Sequence, residues 1–343
     1  MVKSRMTAPL AKLLSQTAAG AIRLGSDEPA PQMIASAQRS ELPLLARILR
    51  SFYRTNLRGR TRVTMLLARH AKSLQAVPIR IAGHPLFYVD LRQLSSHFWL
   101  IGTPFAHSPI EIDEQSVMRR FVRDGDVVFD IGANIGVHTT LLSQLAGPMG
   151  RVVAFEPNTE LLPALTITIE RLQNAIVYPY ALSDEATEAA FFVPVHHTMS
   201  SLADWTTDAT LDNVRFGTAR TIIVRQQRMD DLVGKGILPL PDFIKCDVEG
   251  AELKVFRGGR KTLDRVDAPV ILFEAGPDSA AGFGLRMTDA ANFLRSLPQP
   301  GYQFFELHDG GTLRRVEPAE LKPHNQNVLA VPRDECARRP ELG

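Results

Sequence analysis

The chain has 343 residues, of which 45% are apolar and 22% charged, proportions typical of a globular protein with one large or two modest cores. Its two cysteines, Cys246 and Cys336, exclude a disulfide framework and favour a reduced, cytoplasmic setting. No run of eighteen apolar residues occurs, so we expect no membrane-spanning segment.

The N-terminal part is strongly basic. Residues 1–80 carry fourteen Lys or Arg against three acids, a net charge of +11 in a chain whose total is +2. Such a region could make peripheral contact with an anionic membrane. Nucleic acid is less favoured, because the arginines alternate with leucines rather than with stacking aromatic residues. The plainer interpretation is a solvated helical face behind a frayed leader.

Composition divides the chain into four parts. Residues 1–40, rich in Ala, Ser, Pro and Gln, predict a flexible leader. Residues 41–109 predict accessory helices, from apolar residues at helical spacing, and then a β-hairpin over Pro78 to Leu91. Residues 110–332 form the main domain, and residues 333–343 a polar tail.

The main domain alternates strand and helix patterns, which predicts an α/β fold with a mostly parallel sheet covered by helices on both faces. The expected strands are Val127–Ile131, Val152–Phe155, Ile176–Tyr180, Phe243–Cys246, Val270–Phe273, Gln303–Leu307 and Val328–Val331. The expected helices include Val137–Leu145, Glu160–Leu172, Ala251–Leu263 and Thr288–Ser296. An insertion at 188–228 holds two β-rich runs, and we expect it to form a ribbon or loop over the site.

The first strand ends in a nucleotide-binding turn, VVFDIGANIG, with Gly132 and Gly136 spaced four apart. A dinucleotide fingerprint would have its middle glycine where this chain has Asn134. Asp130 enters the turn, where it would repel a pyrophosphate but suits the ammonium and sulfonium groups of S-adenosylmethionine. A methyl-donor pocket is therefore favoured, with a nicotinamide-dependent oxidoreductase or an ordinary strand-to-helix turn as the alternatives.

Further residues complete the predicted cofactor site. Glu156 ends the second strand about twenty residues beyond the turn, where an acid can accept hydrogen bonds from both ribose hydroxyls. Ser183 and Asp184 follow the third strand, where an adenine edge needs a partner. They are also common turn formers, so a purely structural turn is nearly as well supported.

Asp247 lies at the tip of the fourth strand, FIKCDVEGAE, and should face the methyl group or its acceptor. Glu249 and Glu252 follow it, although acids at the start of a helix also serve as caps. With Glu274 at the next strand end, Asp247 and Glu249 could instead hold a divalent cation. We do not favour that cation.

Histidine could serve as a general base because imidazole titrates near neutrality. His138 directly follows the glycine turn, and His308 ends a late strand. The pair His196-His197 lies in the insertion and lacks the spacing of a usual zinc site. A lone histidine is more often structural.

Taken together, VVFDIGANIGVHT, VVAFEPN, ALSD, MSSL, RMDDL, FIKCDVEGAELKVFRGG, ILFEAG and NVLAVP resemble the FkbM family of S-adenosylmethionine-dependent methyltransferases over roughly residues 110–332. The resemblance implies a seven-stranded, Rossmann-like class I methyltransferase sheet whose last strand is antiparallel. It also implies methylation of hydroxyl oxygens on sugars, polyketides or related natural products. The implied cofactor residues are Asp130, Gly132, Asn134, Gly136 and Glu156, with Asp247 and Glu249 at the reaction centre. Cys246 stands where the family more often has a branched aliphatic residue.

The predicted function is thus O-methylation of a small-molecule or glycan acceptor with S-adenosylmethionine as the donor. Besides the oxidoreductase, a non-catalytic adaptor that keeps a vestigial pocket stays open as an alternative.

Overall fold

The computed structural model describes residues 42–53, 58–79, 84–101, 109–194, 200–204, 210–211, 214–215, 219–308 and 311–342. The predicted leader and the pair His196-His197 lie outside these residues. Within these ranges, every helix is too short or too polar to span a bilayer.

An accessory unit precedes the main domain, with helices and a hairpin as predicted. Its elements are α1 (Leu44–Tyr53), α2 (Arg60–His70), a 3-10 turn (Lys72–Leu74), β1 (Val77–Ile79), β2 (Phe87–Val89) and α3 (Leu94–Ile101). The two strands pair antiparallel, with Pro78 opposite Tyr88. All six strand residues are buried, which explains why the pattern of apolar residues located the hairpin correctly.

The accessory unit shares a core with the main domain. Phe87 and Leu100 belong to the same buried cluster as Ile135, Val137 and Leu161, which surround the glycine turn. The Tyr88 backbone N–H also donates to Thr168 Oγ1 at 3.1 Å. The accessory elements therefore support the predicted cofactor turn directly.

The main domain begins with α4 (Pro109–Phe121), β3 (Val127–Ile131), α5 (Val137–Ala146), β4 (Arg151–Phe155), α6 (Leu162–Ile169) and β5 (Ala175–Tyr178). The insertion region contains β6 (Ala181–Leu182), β7 (Glu188–Val193), β8 (Thr210–Leu211), β9 (Val214–Arg215) and β10 (Arg220–Gln227). It is followed by α7 (Met229–Gly234), β11 (Phe243–Cys246), α8 (Glu252–Gly258), α9 (Arg260–Leu263), β12 (Val270–Ala275), α10 (Pro277–Ala281) and α11 (Asp289–Arg295). The last elements are β13 (Gln303–His308), β14 (Thr312–Val316), a 3-10 turn (Pro318–Glu320), β15 (Gln326–Val331), α12 (Arg333–Ala337) and a final 3-10 turn (Pro340–Leu342).

The large sheet has the order β5-β4-β3-β11-β12-β15-β13-β14, and β15 runs antiparallel to both of its neighbours. This order confirms the predicted class I fold and its antiparallel last strand. An eighth strand, β14, extends the seven that we predicted. Its sequence, TLRRV, buries only Val316, so it lacked the apolar alternation by which the other strands were found.

Two predicted helices differ in extent from the observed ones. The helix expected over Glu160–Leu172 covers only Leu162–Ile169, because Asn158 Oδ1 accepts the Glu160 N–H in a turn that precedes it. The helix expected over Ala251–Leu263 is divided at Gly259, where an added Cβ would lie 2.8 Å from Met229 Sδ.

Strand alternation divides the core between the two faces of the sheet. Phe129 and Phe155 pack on one face, and Val128 and Val152 pack on the other. Both faces are therefore covered, as expected for parallel strands.

The two β-rich runs of the insertion pair antiparallel as β7 and β10, so the predicted ribbon is confirmed. Ser201 forms a bridge with Phe192 of β7, and its Oγ donates to the Glu249 carbonyl at 2.7 Å. Arg220 of β10 makes a bidentate ion pair with Glu160, at 2.5 and 2.6 Å. The ribbon thus contacts the loops that follow β4 and β11.

The segment predicted as a polar tail contains α12 and the last 3-10 turn. Arg339 lies 4.4 Å from the ring centroid of Phe121, and Leu342 is buried against α4. The end of the chain is therefore packed on the main domain.

Candidate active site

The turn after β3 is held in an unusual backbone conformation. Gly132, Asn134 and Gly136 have φ values of +87°, +52° and +86°. A Cβ on Gly132 would lie 1.9 Å from the Asp247 carbonyl oxygen, so only glycine permits the turns after β3 and β11 to approach this closely. The close approach places the predicted cofactor turn against the predicted catalytic loop.

Glu156 fixes the shape of this turn. Its Oε2 accepts the Asn134 backbone N–H at 2.8 Å, and its Oε1 accepts the Asn158 N–H at 2.7 Å. Burial raises the pKa of Glu156 to about 7, although both hydrogen bonds favour its ionised form. Each oxygen retains a second lone pair for a ribose hydroxyl.

Asp130 is fully buried at the end of β3. Its Oδ2 accepts the Thr139 hydroxyl at 2.5 Å, whereas its Oδ1 is a buried oxygen without a hydrogen-bond partner. Burial raises the pKa of Asp130, and the Lys245 cation partly offsets that effect. The unpartnered oxygen is a buried acceptor that a cationic ligand would satisfy.

Ser183 and Asp184 lie beside α8. Lys254 of that helix donates to Asp184 Oδ1 at 2.9 Å, and a Cβ on Gly258 would lie 1.9 Å from the Ser183 carbonyl oxygen. These contacts anchor the loop after β6 on α8. Their predicted role in adenine recognition stays a prediction.

Asp247 lies at the carboxyl end of β11 and pairs with a lysine that our sequence reasoning missed. Lys245 Nζ donates to Asp247 Oδ2 at 2.8 Å, and the lysine is buried while 37% of the Asp247 side chain is exposed. Burial opposes the charge of Lys245, but Asp247, Asp130 and Glu114 together raise its pKa. Lys245 is thus a fixed cation beneath the carboxylates.

Three carboxylates converge above this lysine. Oxygens of Asp247, Glu249 and Glu274 lie within 4.8 Å of one another. Glu249 has a positive φ of +54°, a conformation that is uncommon outside glycine and that clusters at functional sites. Burial raises the pKa of Glu249 and Glu274 well above the ordinary value, and neighbouring carboxylates raise it further. The group has the spacing of a cation site as well as of a shared-proton site.

Glu252, the first residue of α8, fixes the loop that precedes this helix. Its Oε1 accepts the backbone N–H groups of Val248 and Gly250 at 3.1 and 3.3 Å. Burial raises its pKa to about 7. Glu252 therefore has a structural role, but it binds N–H groups of the loop rather than the free N–H groups of the helix that we expected it to cap.

His138 lies at the start of α5, with its Nε2 atom 3.4 Å from Glu114 Oε2. Burial lowers the pKa of His138 well below its ordinary value, so the ring is neutral at neutral pH. Glu114 of α4 also accepts a hydrogen bond from Asn327 Nδ2 at 2.7 Å, and Asn327 pairs with Glu274 across the sheet. Glu114 thus lies between His138 and the β15 residue that stands opposite Glu274 in the sheet.

His308 takes no part in this group. It ends β13, which β15 separates from β12, and its Nε2 lies 3.5 Å from Glu306 Oε2 with 46% of its side chain exposed. The structure does not bring it near Asp247.

Sequence reasoning missed Lys245, Glu114, Asn327 and Ser201. Lys245 could have been found from the sequence, since a lysine inside an apolar strand requires buried anions nearby and so predicts a charged site. Glu114 and Asn327 carried none, because only the sheet order brings α4 and β15 to the end of β12.

A small pocket lies beside the carboxylates, between β12 and helices α10 and α11. Its lining includes Glu252, Glu274, Gly276, Arg286 and Met287. The pocket reaches the Glu274 carboxylate, one of the three that converge above Lys245.

Residues 130–304, about half of the chain, match the family model described as the methyltransferase FkbM domain. The chain belongs to this FkbM methyltransferase family. The family is described as one of methyltransferases, so this match counts against the nicotinamide alternative.

Two curated relatives of this FkbM methyltransferase match over a similar length. The hexuronic acid methyltransferase AglP of Haloferax volcanii is 29% identical over 169 residues, which cover 48% of this chain and 64% of AglP. The AMB antimetabolite synthetase AmbE of Pseudomonas aeruginosa is 29% identical over 187 residues, which cover 46% of this chain and 9% of AmbE. The matches thus span less than two thirds of either relative.

Two solved structures align with this chain at lower sequence identity than these relatives. An O-methyltransferase from Bacillus cereus in complex with SAH is 13% identical, with a TM-score of 0.38, covering 66% of this chain and 82% of that one. A precorrin-6y C5,15-methyltransferase from Geobacter metallireducens is 16% identical, with a TM-score of 0.35, covering 63% of this chain and 87% of that one.

The turn after β3 fits the family's cofactor. Asp130 Oδ1 is a buried acceptor without a partner, Glu156 has spare lone pairs, and the glycine turn exposes backbone where a side chain would stand. The assignment of individual cofactor residues stays a prediction.

Proposed function

We propose that this FkbM methyltransferase methylates a hydroxyl oxygen of a sugar or a related glycosylated natural product. The observation that carries the proposal is the group of Asp247, Glu249 and Glu274 carboxylates, held against the cofactor turn by the contact between Gly132 and Asp247. A group of acceptors at this place suits a ligand with several hydroxyl donors.

Charge favours a hydroxyl over an acidic acceptor group. Among the described residues, Lys245 is the one buried Lys or Arg, and it lies among five acids, namely Asp130, Asp247, Glu249, Glu274 and Glu114. An anion placed about 5 Å from one further carboxylate would lose about 3 kcal/mol at an effective dielectric constant of about 20. A neutral sugar avoids this cost.

S-adenosylmethionine supplies an electrophilic methyl group when it is bound, so the protein's own residues have to position the acceptor and remove its proton. Asp130, Glu156 and the glycine turn would hold the donor. Asp247 takes the hydroxyl proton on its carboxylate as the oxygen attacks, and Lys245 fixes the orientation of that carboxylate through Oδ2. A new O–C bond forms while the S–C bond breaks, and the sulfur leaves as a neutral thioether.

Glu249 and Glu274 have a different role in this proposal. Burial and the neighbouring carboxylates raise the pKa values of both groups, which favours the protonated form. A protonated carboxyl both donates and accepts hydrogen bonds with acceptor hydroxyls. His138 is the second candidate for the proton, through its contact with Glu114.

The test is methyl transfer from isotope-labelled S-adenosylmethionine to neutral hexosides, hexuronic acids and glycolipids. We expect an ether that resists mild alkali, whereas an alkali-labile ester on a uronic acid would overturn the hydroxyl assignment. The relative AglP is named for hexuronic acid, so that acceptor belongs in the panel.

The variant Asp247→Asn should lower kcat by about 10²-fold or more and leave the affinity for S-adenosylhomocysteine unchanged. Asp267→Asn is the matched control, since 79% of that side chain is exposed and it pairs only with Arg265 in the described part of the chain. If Asp247→Asn kept full activity and His138→Asn lost it, His138 would be the base instead of Asp247. A lack of transfer to every acceptor would instead support the adaptor alternative.

A further inference from the structure

The accessory helices α1 and α2 carry exposed aliphatic side chains. Leu44 and Ile48 on α1 are 67% and 55% exposed, and Val63, Leu66 and Leu67 on α2 are 45%, 56% and 38% exposed. These five residues, which we call the apolar face, are half of the ten large hydrophobic side chains that the described ranges expose. Such a concentration on two neighbouring helices is typical of a contact surface.

Helical spacing shows that these side chains are not a poorly packed part of the core. Leu44 and Ile48 are four residues apart, as are Val63 and Leu67, so each pair lies on one side of its helix. The opposite side is already buried, through Ala46, Leu49 and Tyr53 on α1 and through Thr64 and Ala68 on α2. Each helix therefore has one apolar side packed on the protein and another facing outward.

The charge around the apolar face has one sign. Between Glu41 and Asp90 the sequence has no Asp or Glu but has nine Lys or Arg. Arg62 and Arg69 on α2 and Lys72 just beyond it are exposed beside the aliphatic residues. Exposed aliphatic side chains flanked by cations are the pattern of helices that lie in a membrane interface.

We propose that α1 and α2 dock this FkbM methyltransferase on an anionic lipid bilayer. The aliphatic side chains enter the boundary between headgroups and acyl chains, and the arginines bind lipid phosphates. The proposal is independent of the acceptor, because it concerns where the protein resides. It would bring the group of Asp247, Glu249 and Glu274 to membrane-borne substrates.

Charge argues against other occupants. Residues 1–41 have a net charge of +2, and a second copy would bring an equally basic face, so neither complements the surface. Single-stranded nucleic acid would match the charge but is bound on aromatic stacking platforms. The aromatic residues of α1, Phe52 and Tyr53, are half-buried and buried, and α2 has none.

The test is sedimentation of the full chain with vesicles of phosphatidylcholine alone or with about 30% phosphatidylglycerol. We expect binding to the anionic vesicles at least tenfold tighter than to the neutral ones, and weaker in high salt. Equal binding to both, or binding to neither, would overturn the proposal without any variant.

Two variants separate the contributions. Leu44→Ser/Ile48→Ser/Leu66→Ser should reduce binding to anionic vesicles at least tenfold, and Arg62→Glu/Arg69→Glu should reduce it roughly fivefold or more per charge. The control is Met149→Ser/Val266→Ser, whose positions are 82% and 64% exposed outside the accessory unit and should leave binding unchanged.

All three variants alter exposed positions, so their circular dichroism should match that of the parent. Unchanged lipid binding in the apolar variant would refute insertion. If that variant instead converted a dimer to a monomer, or if double-stranded DNA competed fully with vesicles, the surface would belong to a second copy or to nucleic acid.

Discussion

Replacing Gly132 with alanine tests the contact on which the site depends. The substitution introduces two costs. At φ +87° an L-residue loses about 1–2 kcal/mol, and the new Cβ would lie 1.9 Å from the Asp247 carbonyl oxygen. Real Cβ contacts are at least 3.0 Å, so the Asp247 loop has to move by about 1.1 Å, the difference between the two distances. Overpacking of this kind costs a further 1–3 kcal/mol or so.

The matched control is Gly125→Ala. Gly125 has a similar φ of +92° and lies just before β3, but nothing lies within 4 Å of its added Cβ. Urea denaturation should therefore show a loss of about 1–2 kcal/mol for Gly125→Ala and roughly 2–5 kcal/mol for Gly132→Ala.

Activity should separate the two variants further. A displacement of about 1 Å at a reacting group can lower the rate about 10²-fold, so kcat/KM should fall by that order in Gly132→Ala only. If the two variants were equal in stability within about 0.5 kcal/mol and equal in turnover, the close approach of the two loops would be wrong.

Three further experiments address the titrating groups and the carboxylates. The affinity for S-adenosylhomocysteine, measured by calorimetry, should rise between pH 6 and 8 as Glu156 ionises with its pKa of about 7. The variant Glu156→Gln should abolish this rise because its amide does not titrate. A flat profile in the wild type would contradict the role of Glu156 in binding the ribose. Since the pKa values of Glu156 and Glu252 are both raised to about 7, the cofactor-free protein binds more protons folded than unfolded between their ordinary value of 4.5 and pH 7. Their contribution to stability should thus be complete below pH 4.5 and lost as pH rises through 7, so the urea midpoint should be lower at pH 8 than at pH 5. The variant Glu252→Gln should make this difference between the two midpoints smaller. If the difference were unchanged in that variant, it would come from other groups. A chelator such as EDTA should leave turnover unchanged, because Lys245 already supplies a cation at 2.8 Å from Asp247. A loss of activity that Mg²⁺ or Mn²⁺ restores would show instead that the carboxylates hold a metal ion.

Much of the fold was predictable from local patterns. The strands Val127–Ile131 and Phe243–Cys246 were placed with the observed bounds, because both are continuous apolar runs bounded by turn residues. The ribbon was also predicted, from the β-rich runs that became β7 and β10. The strand β14 was not, since four of its five residues are not buried.

The sequence predicted those residues of the candidate site that lie at the end of a single strand. Asp130 is the penultimate residue of its strand, and Glu156 and Asp247 directly follow theirs. The carboxyl ends of parallel strands share an edge of the sheet, which is why these three residues could be grouped from the sequence. The partners of these residues come from elsewhere: Glu114 from the helix before the sheet, and Asn327 from an antiparallel strand near the end of the chain. Such contacts depend on strand order, which no local pattern contains.

The shared core around Ile135, Val137 and Leu161 means that the family's catalytic module is not the folding unit here. A protein trimmed to residues 130–304 would leave these side chains without the Phe87 and Leu100 that shield them. Chimeras that graft this catalytic module onto a relative should therefore carry the hairpin and α3 with it, since the boundary drawn by sequence similarity cuts through packed hydrophobic contacts.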